Sequence, residues 1–188
     1  SYLDNHFGTG LPPASGNEGS WPWIAPRLAD ATIRPAPADI AFARDALRDL
    51  LRIRASSPLF RLDDAGEVSA RLHFPNTGPA QNALVIAGHL DGHGLAGAGF
   101  GEVLYLLNVS PQAQVLDLPT ERGKRYRLHP VHLAADAGDT RPREQARFVP
   151  ARGRFTLPPR TAFAQALPAG HNALVYVFRE SVFIGSSE

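Results

Sequence analysis

Histidine and aspartate fall close together at His89-Leu90-Asp91-Gly92-His93, and neutral imidazole with carboxylate is a donor set that zinc accepts. The local pattern gives these residues another use. They follow an expected strand and enter a glycine-rich loop, where Asp91 and Gly92 are turn formers and the histidines can stand in solvent. The chain has no cysteine, and no other histidine is fixed nearby by sequence, so a fourth ligand is missing and no metal is expected. Gly97-Ala98-Gly99-Phe100-Gly101 has the glycine density of a phosphate loop. It precedes a strand instead of opening a helix, which is the wrong context for a nucleotide fingerprint. Ser110, His129 and Asp136 are the residue types of a nucleophile, base and orienter, but no Gly-x-Ser-x-Gly turn presents the serine and spacing alone does not make a triad. The residues thus point to no catalytic group and no cofactor.

Composition narrows the partners. The chain has 188 residues, 44% of them hydrophobic, and 19 basic against 18 acidic side chains. That length supports a core without metal or disulfide staples. A formal charge of +1 gives no dense positive field for a phosphate backbone, so nucleic acid is not an expected partner. Lys124 is the only lysine among many arginines, which reads as base-composition bias. No apolar run approaches the roughly 20 residues that cross a bilayer, so a membrane partner is not expected either. The chain opens on Ser1 and contains no methionine, and is therefore expected to be part of a longer product.

The elements that would position these residues follow from periodicity. From Ser1 to Pro37, Gly, Pro, Asn and Ser crowd around Trp21-Pro22-Trp23 and read as a long ordered loop, of the kind a larger structure supports. One helix is expected from Ala38 to Ala55, with Ile40, Ala43, Leu47, Leu50 and Leu51 on one face. Asp39 in its first turn and Arg52 and Arg54 in its last suit the helix dipole. Beyond Pro58 the chain changes to short β-branched and aromatic runs between turn residues. Strands are expected near Val68 to Phe74, Asn82 to Ala87, Glu102 to Val109, Gln114 to Leu118, Arg125 to Pro130, Gly153 to Leu157, Thr161 to Ala166 and Ala173 to Phe178. Gly92 to Gly101 and Ala134 to Gln145 read as loops. The result is a mainly β chain, an antiparallel β-sandwich preceded by a loop and a helix, with a boundary near residue 60.

Asp4-Asn5-His6-Phe7-Gly8-Thr9-Gly10-Leu11-Pro12-Pro13 resembles the Asp-Asn-Asn-(Phe/Trp)-Gly-x-Gly-Leu-Pro segment of pullulanase-type alpha-1,6-glucosidases, with His6 in place of the second Asn. Trp21-Pro22, Leu28-Ala29-Asp30 and Pro37-Ala38-Asp39-Ile40 follow in the order of that family, as does the run from Leu50 to Leu62. Phe74-Pro75-Asn76-Thr77-Gly78-Pro79, Leu106-Leu107-Asn108-Val109-Ser110 and Phe155-Thr156-Leu157-Pro158-Pro159-Arg160-Thr161 continue the likeness through the second half.

The resemblance implies a parent glycoside hydrolase that cleaves alpha-1,6 bonds of pullulan or branched alpha-glucans by the retaining route, with two carboxyl groups ~5 Å apart on a (β/α)8 barrel. Those carboxylates lie upstream of this region in the family, and none maps here. Residues 1–60 would be the C-terminal remnant of the catalytic barrel, its last loop and helix, and residues 61–188 a C-terminal all-β domain. The implied partners are the upstream barrel and, in the intact enzyme, the alpha-glucan. Asp4 and Asn5 would line the glucan groove; read locally, they cap turns in a glycine-rich loop. Two functions remain open: a non-catalytic domain that stabilises the barrel, or an autonomous carbohydrate-binding module.

Overall fold

The computed structural model describes residues 11–169. Asp4, Asn5 and the expected strand from Ala173 to Phe178 lie outside the described residues. The chain divides between Arg48 and Asp49 into two compact units.

In the first unit the expected loop contains a helix, α1 (Trp21–Ala29), set between 3-10 turns at Glu18–Ser20 and Ala31–Ile33. The prolines that read as breakers are compatible with it. Pro22 sits in the first turn, where its missing N–H has no intrahelical partner to lose, and Pro26 lies inside the helix, which continues to Ala29 without a bond from Pro26 to the Pro22 carbonyl. The Trp21 indole N–H donates to the Pro12 carbonyl at 2.9 Å. Asp30 caps the following turn by accepting from the Thr32 N–H at 2.8 Å.

The long helix α2 (Pro37–Ser56) runs as expected. Asp39 accepts from the Ala36 N–H at 2.8 Å at its start. At its end Ser57 turns extended and accepts from the Leu59 N–H, starting a 3-10 turn at Pro58–Arg61.

The strand expected over Val68 to Phe74 is instead helix α3 (Ala65–Arg71) followed by the two-residue strand β1 (Leu72–His73). Asp64 caps α3 through the Glu67 N–H, and Glu67 pairs with Arg71 one turn on. Those local contacts outweigh the β-like look of the run. Strand β2 (Val85–Asp91) starts later and runs further than expected, because Asn82 is used in a turn, and so His89 and Asp91 belong to a strand. Then come β3 (Phe100–Asn108), β4 (Gln114–Asp117) and a short β5 (Arg127–Leu128), which gives way to helix α4 (Pro130–Leu133). The segment read as a loop after Ala134 contains helix α5 (Arg141–Gln145). A strand not foreseen, β6 (Arg147–Val149), precedes β7 (Arg154–Leu157) and β8 (Thr161–Pro168).

Among the described residues all strand pairings are antiparallel. One sheet has the order β1-β2-β3-β8-β5 and the other β4-β7-β6. Their inner faces share one core in which Leu104, Leu106 and Phe163 of the larger sheet pack with Leu116, Phe155 and Leu157 of the smaller. A second core lies on the outer face of the larger sheet, where Ile53 at the end of α2 and Leu59 meet Leu90, Val103, Ala164 and Ala166. The chain is mostly antiparallel sheet with some helices.

Candidate functional site

The family-like motifs turn out to hold loops and joints. In the turn after β1, Asn76 donates to the carbonyls of Asn82 at 2.9 Å and Val85 at 2.6 Å and accepts from the Asn82 N–H. Asn108 at the end of β3 donates to the Gln112 and Pro158 carbonyls and accepts from the Ser110 N–H. The segment Ser56-Ser57 fastens the end of α2 to the β unit: Ser57 donates to the Ala98 carbonyl at 2.6 Å, and Ser56 meets His129 at 3.0 Å. Two turns earlier, buried Asp49 accepts from the Gly138 N–H at 2.5 Å.

Other residues of the α2 apolar stripe are more exposed. Ile40 is 58% exposed, Leu47 57% and Leu51 56%, while Ile53 is buried. Exposure also grows along the outer face of the larger sheet. The row Leu90, Val103 and Ala166 is buried under the helix end. In the next row the Tyr105 ring lies across Gly88, where a Cβ would stand 2.0 Å from Cζ. In the third row Ile86 is 47% exposed beside Leu107 and Ala162. Leu50, Ile53, Phe60, Tyr105, Leu107 and Ala162 line a mainly apolar groove of about 260 Å³. Surfaces of this kind mark places where another protein surface fits.

A charged cluster closes one end of the inner core. Glu102 Oε2 lies 2.5 Å from Lys124 Nζ, 2.8 Å from His89 Nε2 and 3.2 Å from the Tyr126 hydroxyl. Fully buried Glu121 accepts from the Tyr126 hydroxyl at 2.7 Å and pairs with Lys124 at 2.8 Å. Burial raises both carboxyls, but the hydrogen bonds from Lys124, with His89 on Glu102 and Tyr126 on Glu121, outweigh it and hold both below the usual carboxylate range. Burial and the Glu121 carboxylate push the Tyr126 phenol up. Donor atoms of His89, Glu102 and Glu121 lie within 4.8 Å of one another, an arrangement that suits a cation. Lys124 supplies that cation, a compact ammonium that fits between two carboxylates where a planar guanidinium would not. Its being the chain's only lysine is the signal that could have marked this cluster.

The residues singled out by type are dispersed. His89 points to Glu102, whereas Asp91 accepts from the His93 N–H and pairs with the His93 ring at 2.7 Å, so the three form no common site. Ser110 accepts from the Gln112 N–H, His129 bonds to Ser56, and Asp136 pairs with Arg52 at 3.0 Å. No nucleophile and base are brought together among them. Gly97 and Gly99 have positive φ and connect β2 to β3, as a turn requires. Asp4 and Asn5 lie outside the described residues.

Comparison with known proteins agrees with this arrangement. Residues 2–164 match the family described as "Alpha-1,6-glucosidases, pullulanase-type, C-terminal". The chain is 34% identical over 168 residues to chloroplastic pullulanase 1 of Arabidopsis thaliana, covering 86% of this chain and 17% of that protein. It is 27% identical over 174 residues to the pullulanase of Klebsiella pneumoniae, covering 90% of this chain and 15% of that protein. The crystal structure of apo pullulanase from Klebsiella pneumoniae superposes with a TM-score of 0.72 at 26% identity, over 88% of this chain and 18% of that one. The chain therefore spans about a sixth of the length of the relatives it matches.

Proposed function

The chain belongs to the family of C-terminal regions of pullulanase-type alpha-1,6-glucosidases, and from that premise we propose that it is the non-catalytic, stabilising end of a debranching glycoside hydrolase. In the intact protein, a (β/α)8 barrel upstream carries the retaining carboxylate pair and hydrolyses alpha-1,6 bonds of pullulan or branched alpha-glucans. Residues 1–60 are the last loop and helix of that barrel, and residues 61–188 are the β domain that holds it.

The observation that carries this reading is the two-sided character of α2. Its C-terminal turns are hydrogen-bonded into the β unit through Asp49, Ser56 and Ser57, while Ile40, Leu47 and Leu51 present apolar surface that the described residues leave more than half exposed. A helix at the rim of a barrel has this need, since its apolar stripe seats on strands supplied from elsewhere. An autonomous carbohydrate-binding module is less well supported. On the outer sheet face, exposed Ile86 is aliphatic, and the Tyr105 ring is only part-exposed and packed across Gly88.

Two measurements test the proposal. The purified chain is expected to release no reducing ends from pullulan; turnover that persists in a homogeneous sample overturns the non-catalytic role. Leu47→Asp is expected to change the stability of this chain by no more than about 0.5 kcal/mol, as for an exposed site. In the longer, barrel-containing protein the same change is expected to cost about 2 kcal/mol or more, as for a buried apolar position. Equal, small effects in both overturn the seating of α2.

A further inference from the structure

We propose that the first unit carries a sugar-stacking platform centred on Trp23, and that its ligand is an alpha-glucan chain. The choice of alpha-glucan rests on the debranching reading above; the platform itself rests on the geometry of α1.

The chain has two tryptophans, and the fold treats them differently. Trp21 is half-buried with its indole N–H on the Pro12 carbonyl, whereas Trp23 is 71% exposed. It lies in a shallow, open depression lined by Pro22, Trp23, Pro26, Arg27 and Asp30. The two prolines fix backbone φ on either side of the ring, so its support is stiff before any ligand arrives. Arg27 Nη1 donates to the Trp23 carbonyl at 2.7 Å, which holds the guanidinium fork one turn along from the indole. The other N–H groups of the Arg27 guanidinium are further donors. Asp30 is held by the Thr32 N–H at 2.8 Å and the Thr32 hydroxyl at 2.7 Å, which places a fixed carboxylate at the same depression.

A pyranose ring presents an apolar C–H face and a rim of hydroxyls that both donate and accept. A large aromatic face suits the first, and a guanidinium beside a carboxylate suits the second. Opposite charges at one rim favour a neutral ligand over an anion or a cation.

The test is a titration of this chain with maltohexaose, followed by tryptophan emission and by calorimetry. Saturable binding with a Kd of about 1 mM is expected, with the emission change retained in Trp21→Phe and lost in Trp23→Phe. Asp30→Asn is expected to weaken binding by about tenfold without altering the circular dichroism spectrum. No saturable signal with the parent chain, or undiminished binding by Trp23→Phe, overturns the platform. Binding by cellohexaose at equal strength keeps the platform and overturns the alpha-glucan assignment. The Leu47→Asp comparison does not involve Trp23, so failure of the debranching reading and failure of the platform are separately visible.

Discussion

Ser56 Oγ lies 3.0 Å from His129 Nε2, across 73 residues of sequence, and joins the last turn of α2 to the start of α4. The Val131 N–H donates to His129 Nδ1 at 3.3 Å, so Nε2 carries the ring proton and donates to Ser56, whose own proton goes to the Ile53 carbonyl at 2.7 Å. The imidazole must be neutral for this chain of bonds to hold.

Burial, and then the neighbouring His132, lower the His129 pKa to about 4 from the ordinary 6.5. The unfolded chain therefore takes up the proton first, and stability present above pH 6.5 is lost as the pH falls towards 4. His132, lowered by burial, adds in the same direction. Urea unfolding is expected to show a loss of roughly 2 kcal/mol from His129 between pH 7 and pH 5. His129→Gln is expected to flatten this slope. An unchanged slope in that variant would show that the proton is taken up elsewhere.

Lys124 is the shared counter-ion of Glu102 and Glu121. Lys124→Met leaves two carboxylates in the core end without their cation and is expected to cost about 3–5 kcal/mol, as for a broken buried ion pair. Adding Glu102→Gln and Glu121→Gln is expected to recover much of that loss. Denaturant midpoints of the single and triple variants read the effect, and a silent Lys124→Met would mean that the cluster is solvated in solution.

The Tyr105 ring covers Gly88 so closely that any Cβ there overlaps it. Gly88→Ala is expected to destabilise by about 1–3 kcal/mol through overpacking. In a Tyr105→Ala background the same change is expected to be nearly neutral. A double-mutant cycle measures the difference, and additive effects would place the ring elsewhere.

The sequence by itself determined the family, the long helix and the mainly antiparallel character of the rest. Periodicity and turn residues are local signals, and α2, β3, β4, β7 and β8 are strongly patterned over their own length. Local reading failed where side-chain contacts outweigh pattern. The Asp64 cap and the Glu67–Arg71 pair turned an expected strand into α3, and α1 accepts Pro22 in its first turn and Pro26 inside it. The charged cluster was hidden for a different reason. His89, Glu102, Glu121 and Lys124 come from separate segments, and only strand register and the fold of the turn before β5 bring their side chains within bonding distance. In the same way, the stripe on α2 is plain in the sequence, but which of its residues are buried and which are exposed is decided by tertiary packing. Ile53 meets the sheet, while Leu51, two residues before it, is more than half exposed.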